Sequence, residues 1–387
     1  MLRMPKKRYK MSKVLFVYPN KWGRGITVIW VPSHSAKLKK SGHDVKLFDC
    51  TFYEGWSENE TEFNTSNSQY MNTNYDDKII FSKNNIFKDL QKQLMSMIQI
   101  LFLGVLFPPI FMAREICKHS YFSELIKQTK SKALKVSGGL QATAVPEKLF
   151  EKFPEIDLFI RGESENVLLE IANDLSLDKL DYSKIEGLVY KKKEKVYVNK
   201  PQKIISDLDE IGFYDYSIFD SKVFLRPYNG QVLKAVDYEL SRGCIYACSY
   251  CVETVLQKYY GFEETSNAGV IKGFKNYLRN KSAKRIFSEL AELNSNYGIK
   301  LIRCQDTNFL TINKNILNEL AILIDNSNLD IMLYIETRPE GINNNTIKLL
   351  KKLKVDGVGM GIELSSQDFR EEKLNRYANQ KSIIKAF

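Results

Sequence analysis

Three closely spaced cysteines are the residues of this sequence best suited to chemistry. Cys244, Cys248 and Cys251 lie in the segment SRGCIYACSYC with the spacing CxxxCxxC. Thiolates bind zinc and iron–sulfur clusters, but a structural zinc site takes four ligands, and no fourth cysteine or histidine lies nearby in the sequence. Three thiolates suit a 4Fe–4S cluster with one iron left open for a small molecule. Zinc with an outside ligand, and three buried thiols without a metal, are the alternatives.

The second half of the sequence alternates strands with helices, which puts the cysteines at a strand end. Strands are predicted in VDYELSRG and, further on, at 300–306, 331–339 and 357–363. Sites of parallel βα barrels lie at the carboxyl ends of the strands. Four parallel strands cannot close a barrel, so we expect the chain to stop inside this domain.

The first half shows the same alternation. Repeated strand–helix units of this length predict an α/β fold with a doubly wound parallel sheet. A polar stretch at 52–90 is interpreted as an insertion or mobile loop. Short apolar runs mark the predicted strands at 13–19, 44–50, 98–106, 133–139 and 157–163.

Residues 177–232 differ in character from both halves. They include a predicted hairpin, GLVYKKKEKVYVN, and many aromatic and Asp residues. We interpret them as a connector packed between two domains, which cover 12–176 and 233–387.

The cysteine segment, with Tyr250 before its last cysteine, resembles the signature of the radical S-adenosylmethionine (SAM) superfamily. The resemblance implies a TIM-like barrel of six βα units, of which residues 233–387 would hold about four. It also implies a 4Fe–4S cluster whose open iron binds the amino and carboxylate groups of S-adenosylmethionine. One electron, from an external donor such as a flavodoxin or ferredoxin, then cleaves the sulfonium and forms a 5′-deoxyadenosyl radical.

Polar segments at other strand ends resemble the S-adenosylmethionine contacts of the same superfamily. They are CQDTNF at 304–309, ETRP at 336–339 and GIELSS at 361–366, and Arg376 also matches a family position. A ligand with an ammonium, a carboxylate and ribose hydroxyls needs carboxylates and an arginine. Each residue alone could equally be a surface or capping residue. The predicted S-adenosylmethionine contacts are Tyr250, Asp306, Glu336, Arg338, Glu363 and Ser365.

The segment SGGLQATAVPEKLF…DLFIRGESE at 137–165 resembles the Rossmann-like cobalamin-binding domain that precedes many radical SAM barrels. No DxHxxG motif offers a histidine to cobalt, and Trp22 and Arg24 are candidates to meet the cofactor or the substrate. The alternative is a domain that keeps the fold and binds no corrinoid. The predicted cobalamin contacts are Tyr18, Pro19, Ser137, Gly138, Gly139, Gly162 and Glu163.

The composition limits the partners. Of the 387 residues, 44% are apolar and 27% charged, and the formal net charge is +11. That charge favours a small anionic substrate, such as a phosphorylated sugar or lipid intermediate. The lysines are scattered, so no nucleic acid partner is expected.

A cytoplasmic, reducing location is expected, because no signal peptide is visible and the cysteines cluster as metal ligands do. The apolar stretch 94–113 approaches the length of a bilayer span. However, Gln99 lies inside it and Pro108–Pro109 interrupt it. The stretch is predicted as a buried strand, a turn and then a helix reaching about residue 129, without membrane contact.

These patterns together predict an anaerobic, cobalamin-dependent radical SAM enzyme that methylates an unactivated carbon of a small molecule. One alternative keeps both cofactors but performs a rearrangement, cyclisation or oxidation. Another is a truncated or corrinoid-binding protein that is inactive without a partner.

Overall fold

The structure is a computed structural model that describes residues 11–21, 26–56, 78–96, 98–104 and 112–387, with side chains from residue 119 in the last range. Trp22, Arg24 and Pro108–Pro109 lie outside the described residues. None of the helices in the described ranges is both long and apolar enough to cross a bilayer.

Seven strands of the described chain form the first sheet, in the order β2-β1-β3-β4-β5-β6-β7. The strands β1 to β5 are parallel, and β6 and β7 add an antiparallel hairpin at the edge. The hairpin predicted within the connector therefore extends this sheet. The strands are β1 (Lys13–Tyr18), β2 (Asp44–Asp49), β3 (Ile100–Leu103), β4 (Leu134–Gly138), β5 (Leu158–Ile160), β6 (Leu188–Lys192) and β7 (Lys195–Val198).

Helices cover both faces of the first sheet. Because successive side chains of a strand point to opposite faces, Phe16 of β1 joins one apolar cluster while Leu15 joins another. The helices α1 and α6 pack on the Phe16 face, and α2, α3 and α5 pack on the Leu15 face. The helices are α1 (Trp30–Lys40), α2 (Ile86–Leu94), α3 (Met112–Thr129), α4 (Leu140–Ala144), α5 (Pro146–Lys152) and α6 (Glu165–Ser176).

The predicted α/β class is therefore confirmed for this half, with a sheet that is mostly parallel. The strand runs were recognisable because a parallel strand covered on both faces is a continuous apolar run. Part of the predicted polar insertion at 52–90 is helical, because α2 begins at Ile86. Asn85 caps this helix by accepting a hydrogen bond from the Lys88 N–H.

The second sheet has the order β14-β13-β12-β9-β8. Its strands β9, β12, β13 and β14 are parallel and correspond to the four strands predicted for this half, while β8 is antiparallel to β9. Two-residue strands, β10 and β11, form a separate antiparallel ribbon. The strands are β8 (Leu225–Tyr228), β9 (Gln231–Tyr238), β10 (Ser241–Arg242), β11 (Arg279–Asn280), β12 (Leu301–Cys304), β13 (Met332–Thr337) and β14 (Val355–Met360).

The helices of the second half follow its strands in βα order. Buried residues of the long helices, such as Leu290 and Leu320, share one apolar cluster with β12, β13 and the Phe16 face of the first sheet. One core therefore runs through both halves. The helices are α7 (Glu253–Tyr259), α8 (Phe274–Tyr277), α9 (Ala283–Tyr297), α10 (Lys314–Asp325), α11 (Asn344–Lys352), α12 (Gln367–Glu372) and α13 (Gln380–Ala386).

The connector predicted at 177–232 is divided between the two sheets. Its hairpin pairs with β5, and its last strand, β8, pairs with β9. The domain boundaries at 176 and 233 remain predictions. The register of the second sheet aligns Tyr238 with Cys304, so the segments that follow β9, β12, β13 and β14 emerge at the same edge.

Candidate functional site

The cysteine loop, residues 243–251, begins directly after β10, the short strand that follows β9 of the second sheet. Gly243 has a φ of +91°, and a Cβ there would lie 2.5 Å from the carbonyl oxygen of Tyr277, so only glycine fits the entry to the loop. Cys244 and Cys248 are buried and Cys251 is partly exposed. All three are free thiols.

Protein groups hold the cysteine loop in shape. The segment 269–271 makes backbone hydrogen bonds of 2.9 Å to it. The buried side chain of Gln257 in α7 donates to the carbonyl oxygens of Cys244 and Tyr246, both at 3.0 Å. The Tyr246 N–H in turn lies 3.5 Å from the Cys244 sulfur. These hydrogen bonds from neighbouring residues fix the backbone of the cysteine loop.

The three thiols are of the donor type that an iron–sulfur cluster takes. Among the described residues, no group of three or more His, Cys, Asp or Glu side chains is arranged to hold one metal ion. A cluster spreads its thiolate ligands over several irons, and three soft sulfur donors in one loop are the ligands it takes. Burial raises the pKa of Cys244 to about 12 and that of Cys251 to about 11, so any metal group that binds these sulfurs as thiolates must displace their protons.

Asp306, a predicted S-adenosylmethionine contact, lies beside the entry to the cysteine loop. Its carboxylate accepts hydrogen bonds from the backbone N–H groups of Leu240 and Ser241 and from the Ser241 hydroxyl, at 2.5 to 3.2 Å. Asp306 is buried, and burial raises its pKa to about 7. It therefore ties the end of β12 to the chain entering the loop, and its contact with S-adenosylmethionine stays a prediction.

Glu336 and Arg338, at the end of β13, have different surroundings. Glu336 is half-exposed and lies 3.6 Å from the Arg303 guanidinium. Arg338 is buried, its guanidinium carbon lies 3.8 Å from the centre of the Tyr246 ring, and its Nη1 lies 3.8 Å from the Cys248 sulfur. The structure therefore brings Arg338 to the cysteine loop itself.

The segment after β14 meets the far end of the same loop. Arg376 is buried, its Nη1 donates to the Tyr250 hydroxyl at 3.2 Å and its Nη2 donates to the Gly361 carbonyl. Its Nη1 also lies 3.9 Å from the Glu363 carboxylate. Tyr250, Glu363 and Arg376 thus form one polar group beside the cysteines, whereas Ser365 is exposed outside it.

Five of the predicted cobalamin contacts lie at the carboxyl ends of β1 and β4. All are buried except Gly139, which is partly exposed and begins α4. The Ser137 hydroxyl donates to the Leu103 carbonyl at 3.2 Å. The strand order reverses direction between β1 and β3, which is where open α/β sheets bind ligands. The five are Tyr18, Pro19, Ser137, Gly138 and Gly139.

The other two predicted cobalamin contacts, Gly162 and Glu163, pack against the second half. The Glu163 N–H donates to the Tyr260 hydroxyl at 2.8 Å. The Glu163 carboxylate binds the Arg279 guanidinium at 2.8 Å and the Ile205 N–H at 3.1 Å. In this structure the Glu163 side chain joins the two halves, and its role toward a corrinoid stays a prediction.

The three histidines lie inside the first half. His34 bonds the Trp30 carbonyl and the Ser164 hydroxyl, both at 2.7 Å, and burial lowers its pKa. The His119 Nε2 lies 3.0 Å from the Ser137 hydroxyl, and His43 Nε2 lies 3.0 Å from Asn173. All three are held by neighbouring protein groups.

The model of the family named "Radical SAM superfamily" matches residues 238–387, which include the cysteine loop and every strand end described above for the second sheet. Residues 238–387 of this chain therefore resemble the radical SAM superfamily. The matched residues are called the radical SAM domain below.

Two curated relatives resemble both the radical SAM domain and part of what precedes it. An uncharacterized methyltransferase of Pyrococcus horikoshii is 28% identical over 244 residues, which are 63% of this chain and 48% of that protein. An anaerobic magnesium-protoporphyrin IX monomethyl ester cyclase of Synechocystis is 24% identical over 254 residues, which are 65% of this chain and 46% of that protein. The chain thus spans about half the length of these relatives.

A solved structure shares the fold over most of the chain. It is the radical S-adenosylmethionine methyltransferase TsrM from Kitasatospora setae, with cobalamin and a 4Fe–4S cluster bound. The match has a TM-score of 0.68 and 18% identity, and it covers 97% of this chain and 67% of that one. At this identity the likeness is one of fold, and it extends across both sheets.

Sequence reasoning missed the charged residues that join the radical SAM domain to the first sheet. Arg242, two residues before Cys244, lies 2.6 Å from the Glu165 carboxylate and 2.7 Å from that of Glu239. Asp237 of β9 binds the N–H of Thr27, in the segment after β1, at 2.9 Å. The sequence did contain a signal for these contacts, namely the charged residues at the predicted strand ends DYELSRG and GESE. Charged side chains that are buried need partners of opposite charge.

Proposed function

We propose that this chain is the cofactor-binding part of an anaerobic, cobalamin-dependent radical SAM methyltransferase. Cys244, Cys248 and Cys251 hold a 4Fe–4S cluster, and S-adenosylmethionine binds beside it. When bound, the cluster supplies the electron that splits S-adenosylmethionine homolytically, and cobalamin supplies the methyl group. A flavodoxin or ferredoxin serves as the electron donor.

The observation that carries the proposal is the position of three free thiols in one braced loop, flanked by two buried arginines. Arg338 lies against Cys248, and Arg376 is held by Tyr250 on the other side. A 4Fe–4S cluster with three thiolate ligands is anionic, so nearby guanidinium groups stabilise it.

The polar group formed by Tyr250, Glu363 and Arg376 supports a site for S-adenosylmethionine. The Arg376 guanidinium is already oriented by Tyr250 and by the Gly361 carbonyl, so little conformational freedom is lost when it meets a carboxylate. Glu363 is a carboxylate for ammonium or ribose hydroxyl groups. In this proposal Glu336, half-exposed at the same edge, has a similar role.

The contacts between the two halves support a corrinoid site that faces the cysteine loop. Segments following β1 and β5 pack against the second half of the chain, through Thr27 with Asp237 and through Glu163 with Tyr260. A corrin lying on the carboxyl edge of the first sheet, beside Tyr18 and Gly138, would therefore be turned toward the radical SAM domain. We also propose that the first sheet with its helices is a Rossmann-like domain. The parallel strands of the second sheet would belong to a partial barrel.

Methyl transfer is our first choice of outcome, and cyclisation is the second. The two relatives are named as one of each, a methyltransferase and an ester cyclase. The net charge of +11 favours an anionic substrate. Transfer of an isotopically labelled methyl group from S-adenosylmethionine to a product separates the two outcomes.

Anaerobic reconstitution with iron and sulfide tests the cluster. We expect about four irons per chain in the wild type and a large loss in Cys244→Ser, Cys248→Ser and Cys251→Ser. Cys50→Ser is the matched control, because Cys50 is also a buried free thiol but directly follows β2 in the first half of the chain. Equal iron content in all four variants and the wild type would refute the assignment of these ligands.

Binding of hydroxocobalamin tests the first sheet separately. We expect the wild type to retain it through gel filtration. A bulky substitution at the carboxyl edge, Gly138→Val, should abolish retention while the iron content stays normal, because the edge and the cysteine loop are different parts of the molecule. Failure of the wild type to retain hydroxocobalamin would leave a radical SAM protein without a corrinoid.

A further inference from the structure

Arg338 is held in a position set by four different groups. Its backbone N–H donates to the Asn308 side chain at 3.4 Å, and its Nε donates to Glu340 at 2.5 Å. Its guanidinium lies over the Tyr246 ring, with 3.8 Å from the guanidinium carbon to the ring centre. Its Nη1 lies 3.8 Å from the Cys248 sulfur.

These contacts place the cationic half of an ion pair against the cysteine loop, because Glu340 binds Nε of Arg338 while Nη1 faces Cys248. Tyr246 lies between Cys244 and Cys248 in the sequence, so Arg338 is stacked on the loop and also contacts one of its thiols. Arg338 is 7% exposed. A buried charge at this range acts on a cluster ligand with little screening by water.

We infer that Arg338 is a positioning residue that donates an N–H···S hydrogen bond to the Cys248 thiolate and raises the reduction potential of the cluster. The inference rests on the proposed function, because it needs a cluster on Cys248. Hydrogen bonds to the sulfurs and nearby charge are among the features by which proteins set such potentials. Reduction adds a negative charge to the cluster, and a fixed cation favours the state with more negative charge.

This role differs from the contact with S-adenosylmethionine that the ETRP segment suggests. A residue that acts only on S-adenosylmethionine changes the affinity for that ligand and leaves the potential of the ligand-free cluster unchanged. A residue that acts on Cys248 changes the potential in the absence of S-adenosylmethionine. The two roles therefore give different results in a redox titration of the reconstituted protein.

The experiment is a redox titration, followed by electron paramagnetic resonance, of the reconstituted chain without S-adenosylmethionine. We expect Arg338→Gln to lower the ratio of reduced to oxidised cluster about tenfold at a fixed poise, a shift of about 59 mV for one electron. Arg338→Lys keeps the charge and should recover part of the shift. Arg303→Gln is the control, because Arg303 lies on the neighbouring strand and pairs with Glu336.

Each outcome decides the inference. A normal potential in Arg338→Gln, with weaker binding of S-adenosylmethionine, would overturn it and leave the ligand contact. If Arg338→Gln does not hold iron, Arg338→Lys decides, and a wild-type potential in that variant would overturn the hydrogen bond. A wild type that assembles no cluster would overturn the proposed function first and this inference with it.

Discussion

The Arg242 guanidinium lies 2.6 Å from the Glu165 carboxylate, and this largely buried ion pair links the strand before Cys244 to the first helix turn of α6. Burial alone would raise the pKa of Glu165, but the charges of Arg242 and His34 outweigh it and lower the pKa to about 2. The cysteine loop is therefore tied electrostatically to the sheet proposed to bind cobalamin.

Glu165→Gln tests how much this ion pair stabilises the molecule. The amide keeps the shape but leaves Arg242 with less compensating charge, although Glu239 at 2.7 Å remains. We expect a loss of about 1–3 kcal/mol in the free energy of unfolding, measured by urea denaturation. Glu264→Gln is the control, since Glu264 pairs with Lys272 on the surface and should cost nothing measurable.

Gly162→Ala tests the packing between the two halves. Gly162 has a φ of +72°, and a Cβ there would meet the Tyr260 hydroxyl and lie 2.6 Å from the Tyr259 ring. Gly261 has a φ of +82° but open space around it, so Gly261→Ala carries only the conformational cost of about 1–2 kcal/mol. We expect Gly162→Ala to lose about 1–3 kcal/mol more than that in the free energy of unfolding. Equal losses of unfolding free energy in the two variants would show that Tyr259 and Tyr260 rearrange to make room for the added methyl group.

The strands could be predicted from the sequence because of how they are buried. β1 and β3 are buried on both faces and read as continuous apolar runs, so they are recognisable without knowledge of their partners. The hairpin β6–β7 was recognisable too, but its attachment to β5 was not, since any exposed sheet edge could accept it. The ribbon of β10 and β11 consists of two-residue strands, which are too short for a periodic pattern.

The sequence predicted which residues lie in the candidate site better than it predicted what each of them does there. The spacing of the cysteines and the strand ends marked the region where Arg338 and Tyr250 lie. Asp306 and Glu163 are predicted ligand contacts, and the structure adds that their carboxylates bind backbone N–H groups and, for Glu163, Arg279. A sequence shows that a carboxylate stands at a strand end, but only the fold shows which donors already surround it.

Asp306→Asn tests the pH dependence that follows from burial of Asp306. Its pKa is about 7 in the folded protein, above its ordinary value of 3.8, so between these values the folded state binds more protons than the unfolded state. The contribution of this group is present below about pH 4 and is lost as the pH rises toward 7. We therefore expect Asp306→Asn to become more stable relative to the wild type from pH 5 to pH 8, by up to about 2.7 kcal/mol.

Urea denaturation at several pH values measures this difference. Asp330→Asn is a control of opposite sign, because Lys300 at 2.8 Å lowers the pKa of Asp330 on the surface. That variant should lose a little stability relative to the wild type only as the pH rises to about 4, and from pH 5 to pH 8 the difference should stay constant. A pH-independent difference between Asp306→Asn and the wild type would contradict the raised pKa.

Arg376→Lys tests the proposed S-adenosylmethionine site. Lysine lacks the planar fork with which Arg376 binds Tyr250 and the Gly361 carbonyl together, so it cannot present an oriented guanidinium to a carboxylate. We expect S-adenosylmethionine to bind about tenfold more weakly, a cost of about 1.4 kcal/mol, in calorimetric titration of the reconstituted protein.

Tyr250→Phe removes a single hydroxyl partner of Arg376 and should weaken binding less. Tyr377→Phe, at a half-exposed tyrosine next to Arg376, is the control and should bind normally. Because none of these changes removes a thiol, the iron content should stay at the wild-type level, and unchanged affinity in Arg376→Lys would exclude Arg376 from the site.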